Sequence, residues 1–146
     1  MSISELNETA EKWSNLSNNG KIIVFTCNWK AYNGLETACR NREIFPPNVF
    51  PIRVNCIGQL SSGTLLKTFE KGAKGVLLLG CPPGECHYHF GNTRAQEVIH
   101  EVKKIISLLG YDSGQIKLDW ASAGDGDLFI ERIYDFLNKV SLDQDR

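Results

Sequence analysis

Three cysteines stand where three expected parallel strands end, and a fourth follows closely. Lys21–Thr26 runs into Cys27, Phe50–Asn55 into Cys56 and Gly75–Gly80 into Cys81, with Cys86 in the next loop. In an open α/β sheet, ligands and cofactors bind in the crevice beyond the carboxyl ends of the strands. Thiols gathered at that end suit a thiophilic metal centre, and a 2Fe–2S cluster usually takes four of them. The segment Cys81-Pro82-Pro83-Gly84-Glu85-Cys86 is suited to holding two ligands, because its prolines stiffen the loop while Gly84 lets the backbone turn.

Other chemistries compete for the same residues. A buried cysteine can be a small hydrophobe and nothing more. Structural zinc sites usually show a tight Cys-x2-Cys knuckle, and a thioredoxin-like site also needs Cys-x-x-Cys. Neither spacing occurs in this chain. Cys86 is followed by His87 and His89, which could hydrogen-bond around a centre or serve as Rieske-type ligands. Cys81 or Cys86 beside His87 could also act as a reactive thiol, given a depressed pKa. Cys39 falls within the first expected helix, about three turns from Cys27, and is expected to pack on the sheet. His100 falls in the third helix and is expected to be exposed or capping.

The elements that must position these residues alternate. Residues 1–20 read as an N-terminal helical arm, with Ile3, Leu6, Trp13 and Leu16 along one face. That face could pack on the domain or on a partner subunit. Residues 21–146 then read as one α/β domain. Strands are expected at Lys21–Thr26, Val49–Asn55, Gly75–Gly80 and Ile116–Trp120. Helices are expected at about Gly34–Glu43, Ser62–Lys71, Thr93–Leu109 and Asp127–Val140. Ser61 or Ser62 is the expected cap of the second helix, and Asn92 or Thr93 that of the third. The third helix should bury Ala95, Val98, Ile99, Val102, Ile105, Ile106 and Leu109. The fourth should bury Leu128, Ile130, Ile133, Phe136, Leu137 and Val140. Pro51 cannot donate to a ladder, so the second strand belongs at an edge. Right-handed crossovers then give a small open parallel sheet of about four strands, order 2-1-3-4, flanked by helices in a Rossmann/flavodoxin-like arrangement.

The 146 residues carry a net charge of −1, with 42% apolar and 23% charged residues, as in an ordinary globular domain. Basic residues are scattered, which argues against nucleic acid as the main partner. No apolar run is long enough to span a membrane, and the first residues fit neither a secretory signal nor a transit peptide, so the expected compartment is the cytoplasm. Five cysteines in a reducing compartment point to metal binding, catalysis or simple burial, not disulfides. No phosphate-binding glycine motif follows the first strand, and no Ser-His-Asp arrangement is apparent. Gly124-Asp125-Gly126-Asp127 lacks the full pattern of a calcium loop and is expected to be a turn and helix cap.

Several words of the sequence carry a family resemblance. Cys27-Asn28-Trp29 with Tyr32, Pro46-Pro47-Asn48-Val49, Arg53-Val54-Asn55-Cys56-Ile57-Gly58, Phe69-Glu70-Lys71-Gly72-Ala73, Gly80-Cys81-Pro82-Pro83-Gly84-Glu85-Cys86-His87-Tyr88 and Gly91-Asn92 occur in this order. Together they resemble the delta subunit of methyl-viologen-reducing hydrogenase, the hydrogenase iron–sulfur subunit, over roughly residues 21–140. The resemblance implies a small electron-transfer subunit with one 2Fe–2S cluster and no substrate pocket of its own. It implies two partners, in assemblies that can bifurcate electrons. One is a heterodisulfide-reductase-A-like flavin subunit. The other is a second redox subunit, such as a hydrogenase or formate dehydrogenase. Cys27, Cys56, Cys81 and Cys86 carry over as family cysteines. The family usually reads Cys-Asn-Trp-Cys where this chain has Lys30. If the missing cysteine is a required ligand, the cluster is lost or altered and the chain becomes a docking adaptor. If it is a spare, Lys30 places a positive charge near the cluster and raises its potential.

Overall fold

In the computed structural model, residues 20–41, 47–82 and 91–144 are described, with side chains through residue 140. The arm expected over 1–20, apart from Gly20, lies outside them, as do Cys86, His87 and His89. Strands β1 (Ile22–Cys27), β2 (Val49–Val54), β3 (Gly75–Gly80) and β4 (Ile116–Trp120) alternate with helices α1 (Lys30–Arg40), α2 (Ser62–Glu70), α3 (Gly91–Leu108) and α4 (Gly126–Gln144). Short 3₁₀ turns at Ile57–Gln59 and Ser113–Gln115 precede α2 and β4. The sheet is parallel throughout, in the order β2-β1-β3-β4. The expected fold class and strand order are therefore those observed. Pro51 does sit on the edge strand, opposite Val24 of β1.

The apolar pattern explains the layers. β3 (Gly-Val-Leu-Leu-Leu-Gly) is buried along its whole length, as a strand covered on both faces must be. Helices α1 and α4 pack together on one face, and α2 and α3 on the other. A Cβ at Gly75 would meet the Phe136 ring of α4 at 3.1 Å, which shows how closely that helix lies on the sheet.

The helix ends differ from the expectations in instructive ways. α1 begins four residues before the expected Gly34, because its first turn is capped by a thiol from the preceding strand: the Ala31 amide donates to Cys27 Sγ at 3.3 Å. Gly34 instead lies inside the helix, where its lack of a side chain lets α1 approach the β4–α4 loop; a Cβ there would lie 3.3 Å from the Ser122 carbonyl oxygen. Ser61 caps α2 as expected, accepting from the Thr64 amide at 3.2 Å. Asn92 does not cap α3, since its side-chain amide donates to the Cys81 carbonyl at 2.7 Å. Asp125 caps α4, accepting from the Leu128 amide at 2.9 Å, which fits the turn-and-cap reading of this segment.

Two helix stripes also need correction. Phe129 is fully buried, whereas the neighbouring Leu128 and Ile130, expected in the core, are half-buried. Leu109 is exposed, lying beyond the end of α3.

Close backbone packing ties the Cys56 turn to α3. A Cβ at Gly58 would lie 2.6 Å from the Gly91 Cα, a backbone atom that cannot swing aside. Gly58→Ala should therefore destabilise the domain by about 1–3 kcal/mol, read as a lower urea midpoint. Gly63→Ala, in the open first turn of α2 with only Ser61 Oγ nearby at 3.8 Å, should leave the midpoint unchanged or raise it.

Candidate metal centre

The parallel register makes β1 and β3 end side by side. Thr26 pairs with Leu79, so Cys27, one residue further on, and Cys81, two residues further on, reach the same rim of the sheet. Their sulfurs lie 3.7 Å apart, and both residues are buried. Two thiolates on one tetrahedral metal, each bonded at about 2.3 Å, stand about 3.8 Å apart. The pair thus already has the spacing of two ligands sharing one metal ion.

The Cys27 thiol is lowered from its ordinary 9.0 to about 6. The hydrogen bond with the Cys81 thiol contributes most. Burial acts in the opposite direction, and the backbone amides of Ala31, Lys30 and Trp29 lower the value further. Those amides belong to the start of α1, where N–H groups lack partners within the helix. A sulfur at this position is stabilised as the thiolate, the form that binds metal.

Cys56 is buried too, in another role. It caps the 3₁₀ turn Ile57–Gln59, its sulfur accepting from the Gly58 amide at 3.4 Å. Among the described residues, no three His, Cys, Asp or Glu side chains come close enough together to hold one metal ion. Cys56 therefore does not join Cys27 and Cys81 around a single ion. Cys39 is exposed and does not pack on the sheet as expected. The buried face of α1 is formed by Ala31, Gly34, Leu35 and Ala38, and Cys39 falls one residue round the helix from it. His100 is exposed, as expected.

Sequence reasoning missed the polar groups that brace this rim. Asn92 ties the start of α3 to the Cys81 carbonyl. Arg53, from the end of β2, donates through Nε to Asn28 Oδ1 and lies 4.4 Å over the Tyr32 ring. It thereby joins β2 to the turn that follows Cys27. On the opposite flank, Arg132 of α4 donates to the Trp120 carbonyl at 3.3 Å and pairs with Asp119 at 3.3 Å. Asn28, Tyr32, Arg53 and Asn92 all occur in the words that carry the family resemblance, which was the available signal for them.

The family profile described as methyl-viologen-reducing hydrogenase, delta subunit, matches residues 22–142. The chain belongs to this family. Similar proteins include the iron-sulfur D subunit of the F420-non-reducing hydrogenase vhc of Methanococcus voltae, 36% identical over 90% of this chain and 88% of that protein. The iron-sulfur D subunit of the F420-non-reducing hydrogenase of Archaeoglobus profundus is 32% identical over 79% of this chain and 84% of its own length. The A subunit of the ferredoxin:CoB-CoM heterodisulfide reductase of Methanosarcina mazei is 32% identical over 82% of this chain, but the match spans only 15% of that longer protein. In this delta-subunit family member, Lys30 opens α1 and is half-buried, three residues after Cys27.

In metal-free protein, a Cys39→Ser background removes the exposed thiol among the described residues. Alkylation of Cys27 should then show a pH midpoint at about 6, slowed overall by burial. Cys81→Ala removes the largest stabilising contact and should move the midpoint upward. A thiol pKa lowered on folding adds stability at pH above 9.0, and that stability is lost as pH falls towards about 6.

Proposed function

We propose that this protein is an electron-relay subunit holding a 2Fe–2S cluster on Cys27, Cys56, Cys81 and Cys86 within domain 21–146, with residues 1–20 as a helical arm. The supporting observation is the Cys27–Cys81 pair, whose 3.7 Å sulfur separation suits two ligands on one iron. Cys56, buried at the neighbouring strand end, and Cys86, in the loop after Cys81, are the thiols available to a second iron. The bound cluster would supply one-electron chemistry.

The chain's own residues supply the setting. The Cys27 thiolate is stabilised before any metal arrives, first by the Cys81 thiol and then by the amides at the start of α1. Asn92 fixes the Cys81 backbone. Burial of Cys27, Cys56 and Cys81 keeps water from their thiols, and burial and hydrogen bonding to sulfur both tune the potential of such centres. Lys30 adds a positive charge nearby, which favours the reduced state and raises the potential.

The partners follow from the relatives. One relative is named as the A subunit of a heterodisulfide reductase, and a stretch similar to this chain forms part of that longer polypeptide. A flavin subunit of that type on one side, and a dehydrogenase or reductase subunit on the other, would place this chain in a cytoplasmic, electron-bifurcating oxidoreductase complex. No helix among the described residues is long and apolar enough to cross a membrane. A thiol enzyme working through Cys81 is disfavoured by that residue's 3% exposure.

Iron and acid-labile sulfide should both come to about two per chain in anaerobically purified protein, with a rhombic low-temperature EPR signal after dithionite. Cys81→Ser should remove the visible absorbance and stop electron flow through the complex. Absence of iron in protein never exposed to air would overturn the relay and leave a docking adaptor that lost its cluster with the cysteine at position 30. Lys30→Met should retain the cluster and lower its potential, measured by redox titration.

A further inference from the structure

The two edges of the sheet are not equivalent. At the β2 edge, the Ile22 amide donates to the Asn48 carbonyl at 2.9 Å. Backbone groups alternate in direction along a strand, so Phe50 and Ile52 also face β1, while Pro51 faces outward. Its missing N–H blunts that edge. At the other edge, the Ala121 amide donates to the Gly80 carbonyl at 3.1 Å. By the same alternation, Lys117 and Asp119 face β3, whereas Leu118 and Trp120 turn their N–H and C=O outward. The groups of Trp120 are already engaged. Its amide donates to Asp119 Oδ1 at 2.9 Å, and its carbonyl accepts from Arg132 Nε at 3.3 Å. The N–H and C=O of Leu118 stand mid-strand, on an edge beyond which no further strand lies among the described residues.

A groove of about 420 Å³ crosses this edge, between α3 on one face of the sheet and α4 on the other. Lys117 and Leu118 line it from β4. Ile99, His100 and Lys103 line it from α3, and Lys139 from α4. Lys117 pairs with Asp119 at 3.3 Å, but Lys103 and Lys139 have no ion-pair partner among the described residues. Through Gln96 and Leu118 the groove adjoins a second cavity of about 240 Å³, lined also by Cys81, Asn92 and Trp120.

We propose that this groove seats an extended acidic segment of a partner protein. The segment pairs with the Leu118 backbone as an added strand and sets carboxylates against Lys103 on one side and Lys139 on the other. Successive side chains of a strand point to opposite faces, so two neighbouring acidic residues reach the two helices. Charge selects the occupant. A second copy would bring its own Lys103, Lys117 and Lys139 to the same edge and be repelled. A fully ionised inorganic anion could meet the lysines, but it cannot donate to the Leu118 carbonyl. That the partner is a redox subunit rests on the relay reading, because the adjoining cavity brings it beside Cys81. The seating itself does not, since none of the groove residues is a proposed ligand.

The test is residue-resolved hydrogen–deuterium exchange on the full chain, with and without iron. The probe is a blocked peptide, Thr-Val-Glu-Glu-Val-Thr, with Thr-Val-Lys-Lys-Val-Thr as its reference. In the free chain, the Leu118 amide should exchange fast and the Lys117 and Asp119 amides slowly. The acidic peptide at saturation should slow Leu118 by about tenfold and leave its two neighbours unchanged. Lys103→Glu with Lys139→Glu should weaken that binding by about tenfold, the effect of two exposed charge pairs reversed, and favour the lysine peptide. Leu118→Pro, which removes the outward N–H, should abolish binding. The lysine variant leaves the backbone intact and carries the test if the proline variant does not fold. Acidic-peptide binding in iron-free chain would support the seating even where the relay reading has failed. Peptide binding that leaves Leu118 exchange unchanged, or that is indifferent to the charge reversal, would overturn the proposal. So would Leu118 protection that grows with protein concentration alone, which marks a second copy. Inorganic triphosphate binding more tightly than the acidic peptide would mark a small-anion site and overturn it as well.

Discussion

The pairing of β1 with β3 is the constraint on which the site depends. These strands are distant in sequence, yet the parallel register places Thr26 opposite Leu79. Cys27 follows one residue past Thr26 and Cys81 two residues past Leu79, so the two backbones deliver both thiols to a common rim. The sulfur spacing is therefore set by the central ladder of the sheet. The flanking layers hold that ladder: α1 and α4 seal one face with Phe129 and Phe136 fully buried, and α2 with α3 seals the other with Leu65 and Ile106. Burial on this scale makes the rim stiff, and a stiff rim holds two thiols at a fixed separation.

The same arrangement solves an electrostatic problem. Burying a thiolate in apolar surroundings is unfavourable unless hydrogen-bond donors replace the lost water. Here the Cys81 thiol contributes most, and the opening of α1 supplies backbone amides. The helix needs an acceptor for its first amides, and the strand's last residue needs donors for its sulfur. Each supplies the other through the contact between the Ala31 amide and Cys27. The contact that caps α1 thus adds to the lowering of the Cys27 pKa, which the Cys81 thiol leads. This explains why no serine, threonine, aspartate or asparagine side chain caps the helix.

Much of the fold was legible in the sequence because strands buried on both faces leave an uninterrupted apolar run. β3 has the expected bounds for that reason, β4 has them through apolar Ile116, Leu118 and Trp120 alternating with Lys117 and Asp119, and Pro51 identified the edge strand. The helix starts were harder to read. A sulfur cap from inside the preceding strand does not resemble a standard N-cap residue, so α1 was expected to begin at Gly34. Asn92 is a good capping residue by type, but its side chain serves Cys81. Phe129 escaped notice because the fourth helix has apolar residues on both sides of it, and only packing decides which of them faces inward. Three of the four candidate ligands are buried at the expected strand ends. That Cys27 and Cys81 form a pair while Cys56 caps its own turn depends on side-chain directions, which spacing along the chain does not encode.

The position of Cys39 makes it a chemical handle. Among the described thiols, three are enclosed and this one faces solvent. A soft electrophile will meet it before the three enclosed thiols, on the outer side of a helix that forms no part of the sulfur pair. Among the described thiols it is therefore the attachment point for a fluorophore or spin label, from which distances to neighbouring subunits could be measured. The same exposure makes it, among the described thiols, the one through which two copies would become crosslinked in air.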